Sequence, residues 1–157
     1  MTNKNANQQY TERVTAGDIP IESLVPLDDA FQDARGQILN LLLTSISSVA
    51  RITSAKRTVR ANHYHLTDWH YTYVEKGEVL YFERSISDTL IPTPKRFVTG
   101  SMFFTPSMRE HAMLFPVDTT IFTFAKNTRS HSHHEADVRR VEFITPDLIE
   151  RYLKPEL

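Results

Sequence analysis

Arg60-Ala-Asn-His63-Tyr-His65-Leu-Thr-Asp-Trp-His70 is the stretch on which the reading of this chain turns, with a second block, Gly100-Ser-Met-Phe-Phe-Thr-Pro106-Ser-Met-Arg-Glu-His111, as its counterpart. If the first block is a strand, side chains at i and i+2 share a face, so His63 and His65 point the same way. Leu66 to Trp69 then form a short connection into an antiparallel partner strand that returns His70 across from the pair. Gly77 closes the following turn, and Gly100 and Pro106 open and end a later strand that delivers His111 to the same place. Four imidazoles converging in this way suit one mononuclear site for zinc, iron, nickel, copper or manganese rather than calcium. A metal-free pocket using some of these imidazoles as acid or base is the rival reading.

Outward from these blocks, short β-branched and aromatic stretches recur between Pro, Gly, Asp and Lys. They run over 45–53, 58–65, 70–74, 79–84, 97–105, 112–115 and 119–125. Many short strands close together predict a sandwich or barrel, an all-β fold. Thr145-Pro146-Asp147, leading into Leu148 to Leu153, predicts a short C-terminal helix with Pro at its first position. Residues 1–17 are polar and amide-rich and are expected to form a flexible arm, with 18–157 as a single domain. Tyr71, Tyr73, Tyr81, Phe103, Phe104, Phe122 and Phe124 read as core packing, whereas Trp69 either walls the pocket or plugs the barrel end. His131, His133 and His134, in a polar stretch, read as a surface loop.

Composition narrows the function. Among 157 residues, 18 basic and 19 acidic side chains are interspersed for a net charge of -1, so no basic stripe announces nucleic acid. There are no cysteines, which excludes disulfides and thiolate metal sites. The longest apolar run, Ile38 to Leu43, is interrupted by Asn40, and no membrane span or secretory signal is read; a cytoplasmic protein is expected.

The two blocks resemble the two motifs of the cupin superfamily. The first cupin motif is Gly, His-x-His, three or four residues, Glu, six residues, Gly; the second is Gly, five residues, Pro-x-Gly, two residues, His. His63, His65, Gly77, Gly100, Pro106 and His111 fall on motif positions over about fifty residues. His70 takes the usual Glu position, which removes a negative charge and makes a bound metal a stronger Lewis acid. Met108 stands where the second motif has Gly, which implies a different turn before His111. The resemblance implies a cupin-type jelly-roll barrel holding one divalent transition metal on His63, His65, His70 and His111, and a homodimer.

Asp33-Ala-Arg35-Gly36 and Arg60-Ala-Asn-His63 look like elements of the nucleotide-sugar cupins, the dTDP-sugar 3,5-epimerases and 3,4-ketoisomerases. That resemblance implies that Arg35 and Arg60 face a nucleotide diphosphate and that His63 is the catalytic base beside a keto sugar, in enzymes that generally need no metal. Guanidinium groups bind phosphate bidentately, and an imidazole can remove a proton next to a carbonyl. The expected function is therefore a metal-dependent isomerase or epimerase acting on a small-molecule substrate, a carbohydrate or nucleotide sugar. The alternatives are an oxygen-dependent dioxygenase with a multi-histidine iron or copper site and a non-catalytic sugar-binding module.

Overall fold

In the computed structural model, which describes residues 23–154, the β-rich pattern becomes two facing sheets. The strands are β1 (Leu24–Val25), β2 (Phe31–Asp33), β3 (Gly36–Ile38), β4 (Ser48–Ser54), β5 (Thr58–His65) and β6 (His70–Lys76). They continue with β7 (Glu78–Ser85), β8 (Lys95–Val98), β9 (Met102–Thr105), β10 (Arg109–Phe115), β11 (Thr119–Ala125) and β12 (Val138–Arg140). Two helices follow β11: α1 (His131–Asp137) precedes β12, and α2 (Pro146–Leu153) follows it. Sheet one has the order β1-β9-β6-β11-β4 and sheet two β12-β5-β10-β7-β8, all antiparallel, while β2 and β3 form a separate hairpin. The expected arm over 1–17 lies outside the described residues.

Alternation explains why the sheets face each other. In β11, Thr119, Ile121, Thr123 and Ala125 are buried while the residues between them are half-buried. Val74, Phe103 and Ile121 of sheet one meet Val79, Tyr81, Phe97, Met113 and Phe115 of sheet two in an apolar layer. The outer face of sheet two is covered by α2, where Leu148, Ile149, Tyr152 and Leu153 pack on Phe82, Leu114 and Phe143. The outer face of sheet one is covered by Leu27, Leu41 and Leu42 over Tyr71, Met102 and Phe104, and Trp69 packs here on Tyr71 and Phe104. Trp69 is therefore outside the barrel, neither a pocket wall nor a plug. Both outer faces are thus partly covered by apolar side chains, while the polar groups described below lie between the sheets.

Several expectations require correction. The 97–105 stretch is two strands, interrupted by a turn in which Gly100 has φ +90. The 131–134 segment is helical, not a loop. Strands β5 and β6 belong to different sheets and are not partners, so His70 faces the His63/His65 pair across the sandwich and not from a strand paired with β5. Met108 does not change the turn before His111: it adopts φ +57, the left-handed region a glycine would use, and its N–H donates to the His65 carbonyl at 2.7 Å. That conformation costs roughly 1–2 kcal/mol with a side chain present. Glycine's extra freedom in the unfolded chain offsets about 0.5–1 kcal/mol of the relief. Because Met108 is half exposed, Met108→Gly is expected to raise the unfolding free energy by about 0.5 kcal/mol. A lowered urea midpoint would show that the methionine side chain contributes packing that outweighs the strain.

Candidate functional site

Above the apolar layer the interior turns polar, and the cause is local. In β5, Ala61 and Asn62 take φ +69 and +53, and the β10 register skips from His111↔His63 to Ala112↔Ala61. Asn62 is thus a bulge residue without a β10 partner. Its amide instead pairs both ways with Ile144, donating to the carbonyl and accepting from the N–H at 3.0 Å each. The bulge is held from outside the barrel, and His63 and His65 are aimed in.

All four predicted histidines meet between the sheets. Ring centroids are 4.8 Å apart for His63–His65 and for His63–His111, 5.6 Å for His65–His111, 5.5 Å for His65–His70 and 5.7 Å for His70–His111. Their grouping is finer than the single four-ligand set. Ligand atoms of His63, His65 and His111 lie within 4.8 Å of one another, and so do those of His65, Asp68 and His70. His65 is common to both groups.

The ring tautomers follow from the partners. The Asp137 carboxylate accepts from the Thr67 N–H and hydroxyl, from the Asp68 N–H, and sits 3.1 Å from His65 Nδ1. Burial pushes the Asp137 carboxyl up, but the hydrogen bonds from Thr67, Asp68 and His65 outweigh it and hold the group below its usual range. A charged carboxylate only accepts, so His65 donates through Nδ1 and turns an unprotonated Nε2 inward. His111 Nδ1 lies 3.2 Å from the Arg109 carbonyl, which fixes the same tautomer. His65 Nε2 and His70 Nδ1 are buried without a hydrogen-bond partner. An orphaned His65 Nε2 backed by a carboxylate, an orphaned His70 Nδ1 and a His111 ring oriented by a carbonyl make a donor set that suits a transition metal, so the residues fit the expected metal.

Burial, reinforced by the neighbouring imidazoles and by Arg129, lowers His63 and His111 to about 3 and His65 to about 4, and pushes His70 well below its ordinary value. The unfolded chain, with pKa near 6.5, takes up protons that the folded chain refuses. The stability these groups confer is complete above about pH 6.5 and is lost as pH falls toward 4. Metal-free protein is therefore expected to lose roughly 1.4 kcal/mol per pH unit for each such histidine. Urea unfolding in chelator at pH 7 and pH 5.5 checks this; equal midpoints would show that the rings are not buried neutral.

The remaining sequence candidates do not enter this interior. Arg35 sits on the β2–β3 hairpin with its side chain 86% exposed and paired to Asp33 at 2.5 Å. Arg60 is opposite Met113, farther down β5, and is exposed; its guanidinium donates to Ser54 Oγ at 2.7 Å and the Thr53 carbonyl at 2.9 Å. Conversely, α1 contributes groups not foreseen as site members. His134 lies 6.2 Å from His63 and 5.8 Å from His65 between ring centroids, half-buried, and Asp137 at the other end of α1 anchors His65. On β7, Glu83 is the register partner of His111, where it accepts from Tyr81 Oη at 2.9 Å and pairs with Arg109 at 3.2 Å. Only the acid-and-imidazole composition of 131–137 hinted at α1; its placement depends on the β12–β5 pairing.

No family model and no curated protein matches the chain. Solved structures do match. A 3'-monoepimerase from Streptomyces bikiniensis, solved with dTDP-quinovose, superimposes with a TM-score of 0.63 at 16% identity, over 83% of this chain and 75% of that one. A 3,4-ketoisomerase from Helicobacter canadensis gives 0.62 at 14% identity, over 86% and 98%. The dTDP-4-dehydrorhamnose 3,5-epimerase from Sulfolobus tokodaii gives 0.57 at 17%, over 73% of each chain. With two antiparallel five-stranded sheets enclosing a histidine-lined interior, this chain has the cupin-type fold of those epimerases and ketoisomerases.

Proposed function

We propose that the chain is a carbohydrate isomerase or epimerase that moves a proton next to a carbonyl within the histidine-lined interior. The observation that carries this reading is the set of neutral imidazoles facing one another between the sheets, with His65 Nε2 and His70 Nδ1 buried and unpartnered. The activities named for the structural neighbours, sugar epimerase and ketoisomerase, support the same class.

His63 is the half-buried member of the trio and the candidate base. Its low basicity is a consequence of burial and of neighbouring positive groups. An enediolate forming beside it supplies the missing negative charge, so proton uptake becomes favourable as the transfer proceeds. His63, His65 and His111 are also the residues that would hold a divalent transition ion, with His70 and Asp68 adjoining. Such an ion supplies Lewis-acid polarisation of the carbonyl. One lone pair on His63 cannot serve both purposes; in a metal-loaded site His134 is the imidazole left facing the same space.

Solvent deuterium reports the reaction. In D2O, a keto sugar or nucleotide-linked keto sugar turned over by the protein is expected to gain deuterium at the carbon next to its carbonyl. No incorporation across a panel of both kinds would remove the isomerase reading. Metal analysis of protein purified without a histidine tag separates the two forms of the mechanism. Content below about 0.1 ion per chain, with no gain on adding metals, would leave the metal-free form.

A further inference from the structure

Arg129 is the feature of the interior that neither proton transfer nor a metal explains. It follows β11 and is largely buried. Its Nε has no hydrogen-bond partner, and its Nη1 reaches Thr123 Oγ1 at a long 3.4 Å. None of the ion pairs among the described residues includes it. Asp68 acts on it through space, with its Oδ1 accepting from the Asn127 N–H at 2.8 Å, but no ion pair joins the two among the described residues. A buried guanidinium ordinarily satisfies most of its five donors and is paired with an acid, because an unpaired buried charge costs several kcal/mol.

Its position is as telling as its lack of partners. Thr123 lies on the inner face of sheet one, in register with Thr72, and Thr72 is two residues from His70 on the same face of β6. Thr72 Oγ1 is also buried without a partner. Arg129 and Thr72 thus present donors from sheet one, opposite His63, His65 and His111 on sheet two. The Arg129 charge is felt by all five imidazoles of the cluster. A planar donor fork beside a hydroxyl matches an oxyanion placed between the sheets.

We propose that the ligand bound in this interior is a sugar acid, whose carboxylate is taken by Arg129 while its carbonyl lies against the histidines. This rests on the carbohydrate reading above and narrows it. A carboxylate is favoured over a phosphate because one guanidinium balances one negative charge. The two arginines expected to face a diphosphate, Arg35 and Arg60, are turned elsewhere.

Calorimetric titration of the full chain as purified tests it, using D-galacturonate and D-glucuronate, their methyl esters, D-galactose, inorganic phosphate and TDP. The acids are expected to bind at least about 10-fold more tightly than their esters or the neutral sugar, the loss of a charge-assisted hydrogen-bond pair. Arg129→Gln is expected to erase that difference, Arg129→Lys to restore part of it, and Arg96→Gln, on the outer strand β8, to leave it unchanged. Equal binding of acid and ester, or a difference that survives Arg129→Gln, would overturn the proposal. So would no acid binding at about 10 mM, or Arg129-dependent binding of phosphate or TDP in place of the acids. If Arg129→Gln does not fold, the acid–ester comparison on the unaltered chain and Arg129→Lys decide. Acid binding without deuterium exchange would sink the isomerase reading alone; exchange into neutral keto sugars that Arg129→Gln leaves unchanged would sink the sugar acid alone.

Discussion

His65→Ala is expected to lower the affinity for a divalent transition metal by at least about 100-fold while the barrel stays folded. His65 is the single residue shared by the two ligand groups, so its loss leaves His63 with His111 and His70 with Asp68, two ligands in each. Its Nε2 is buried and unpartnered, and its Nδ1 is tied to a carboxylate that also receives Thr67 and Asp68. The ring is therefore preorganised, whereas His134, 5.8 Å away between ring centroids, belongs to neither ligand group. Folding is expected to survive because His65 lies above the apolar layer and is absent from it. The cavity left is polar-walled, at a cost of about 1–2 kcal/mol. Chelator competition and near-ultraviolet circular dichroism read the two effects separately. Stoichiometric metal retained by the variant would show that the ligand assignment is wrong; a lost fold would show that His65 is structural.

The strands and the convergence of His63, His65 and His111 were legible because both rest on short-range rules. Alternation sets faces, Gly77 and Gly100 punctuate turns, and i, i+2 spacing fixes a shared direction. What was not legible depends on partners distant along the chain. Alternation does not say which sheet receives β6, so the sequence pattern alone does not distinguish a His70 on a strand paired with β5 from one that faces the pair from the other sheet. The Asp137–His65 contact spans 72 residues, and α1 earns its position from β12 pairing with β5, not from its own polar composition. The Ala61–Asn62 bulge was hidden for the same reason: its support is the backbone of Ile144, 82 residues away. Met108 is the opposite case, because tertiary context, here the His65 carbonyl, holds a non-glycine residue in the left-handed region.

The conflict between the arginine motifs and the metal-ligand motifs takes a different form in three dimensions. Arg35 and Arg60 satisfy themselves on Asp33, Ser54 and Thr53, outside the histidine-lined space. Arg129, which belongs to neither motif, lies inside it with its Nε unsatisfied. Arg129 and the imidazoles of His63, His65 and His111 thus approach from opposite sheets, a juxtaposition that depends on pairing β11 with β6.

Gly77→Ala is expected to destabilise the protein by about 3 kcal/mol or more, a large fraction of the 5–15 kcal/mol typical of a domain. Gly77 has φ +101, in the turn where the chain crosses from sheet one to sheet two. An added Cβ would meet Thr119 Oγ1 at 2.5 Å, the Asp118 carbonyl at 2.8 Å and Thr119 Cα at 2.9 Å. Two of these are backbone atoms and cannot swing aside. The Thr119 hydroxyl is held as well, since it accepts from the Glu78 N–H at 3.1 Å and lies 2.8 Å from the Val117 carbonyl. Relief requires moving the β10–β11 turn or the start of β7, and β7 carries Glu83 opposite His111. Gly100→Ala separates the two causes: φ there is +90 but nothing lies within 4 Å of the new carbon, so only the conformational cost of about 1–2 kcal/mol is expected. Urea midpoints of the two variants should therefore differ by more than a kilocalorie per mole in stability, with Gly77→Ala the lower. Equal midpoints would mean that the clash is absorbed by local movement and that this crossing does not fix the spacing of the sheets on which the histidine cluster depends.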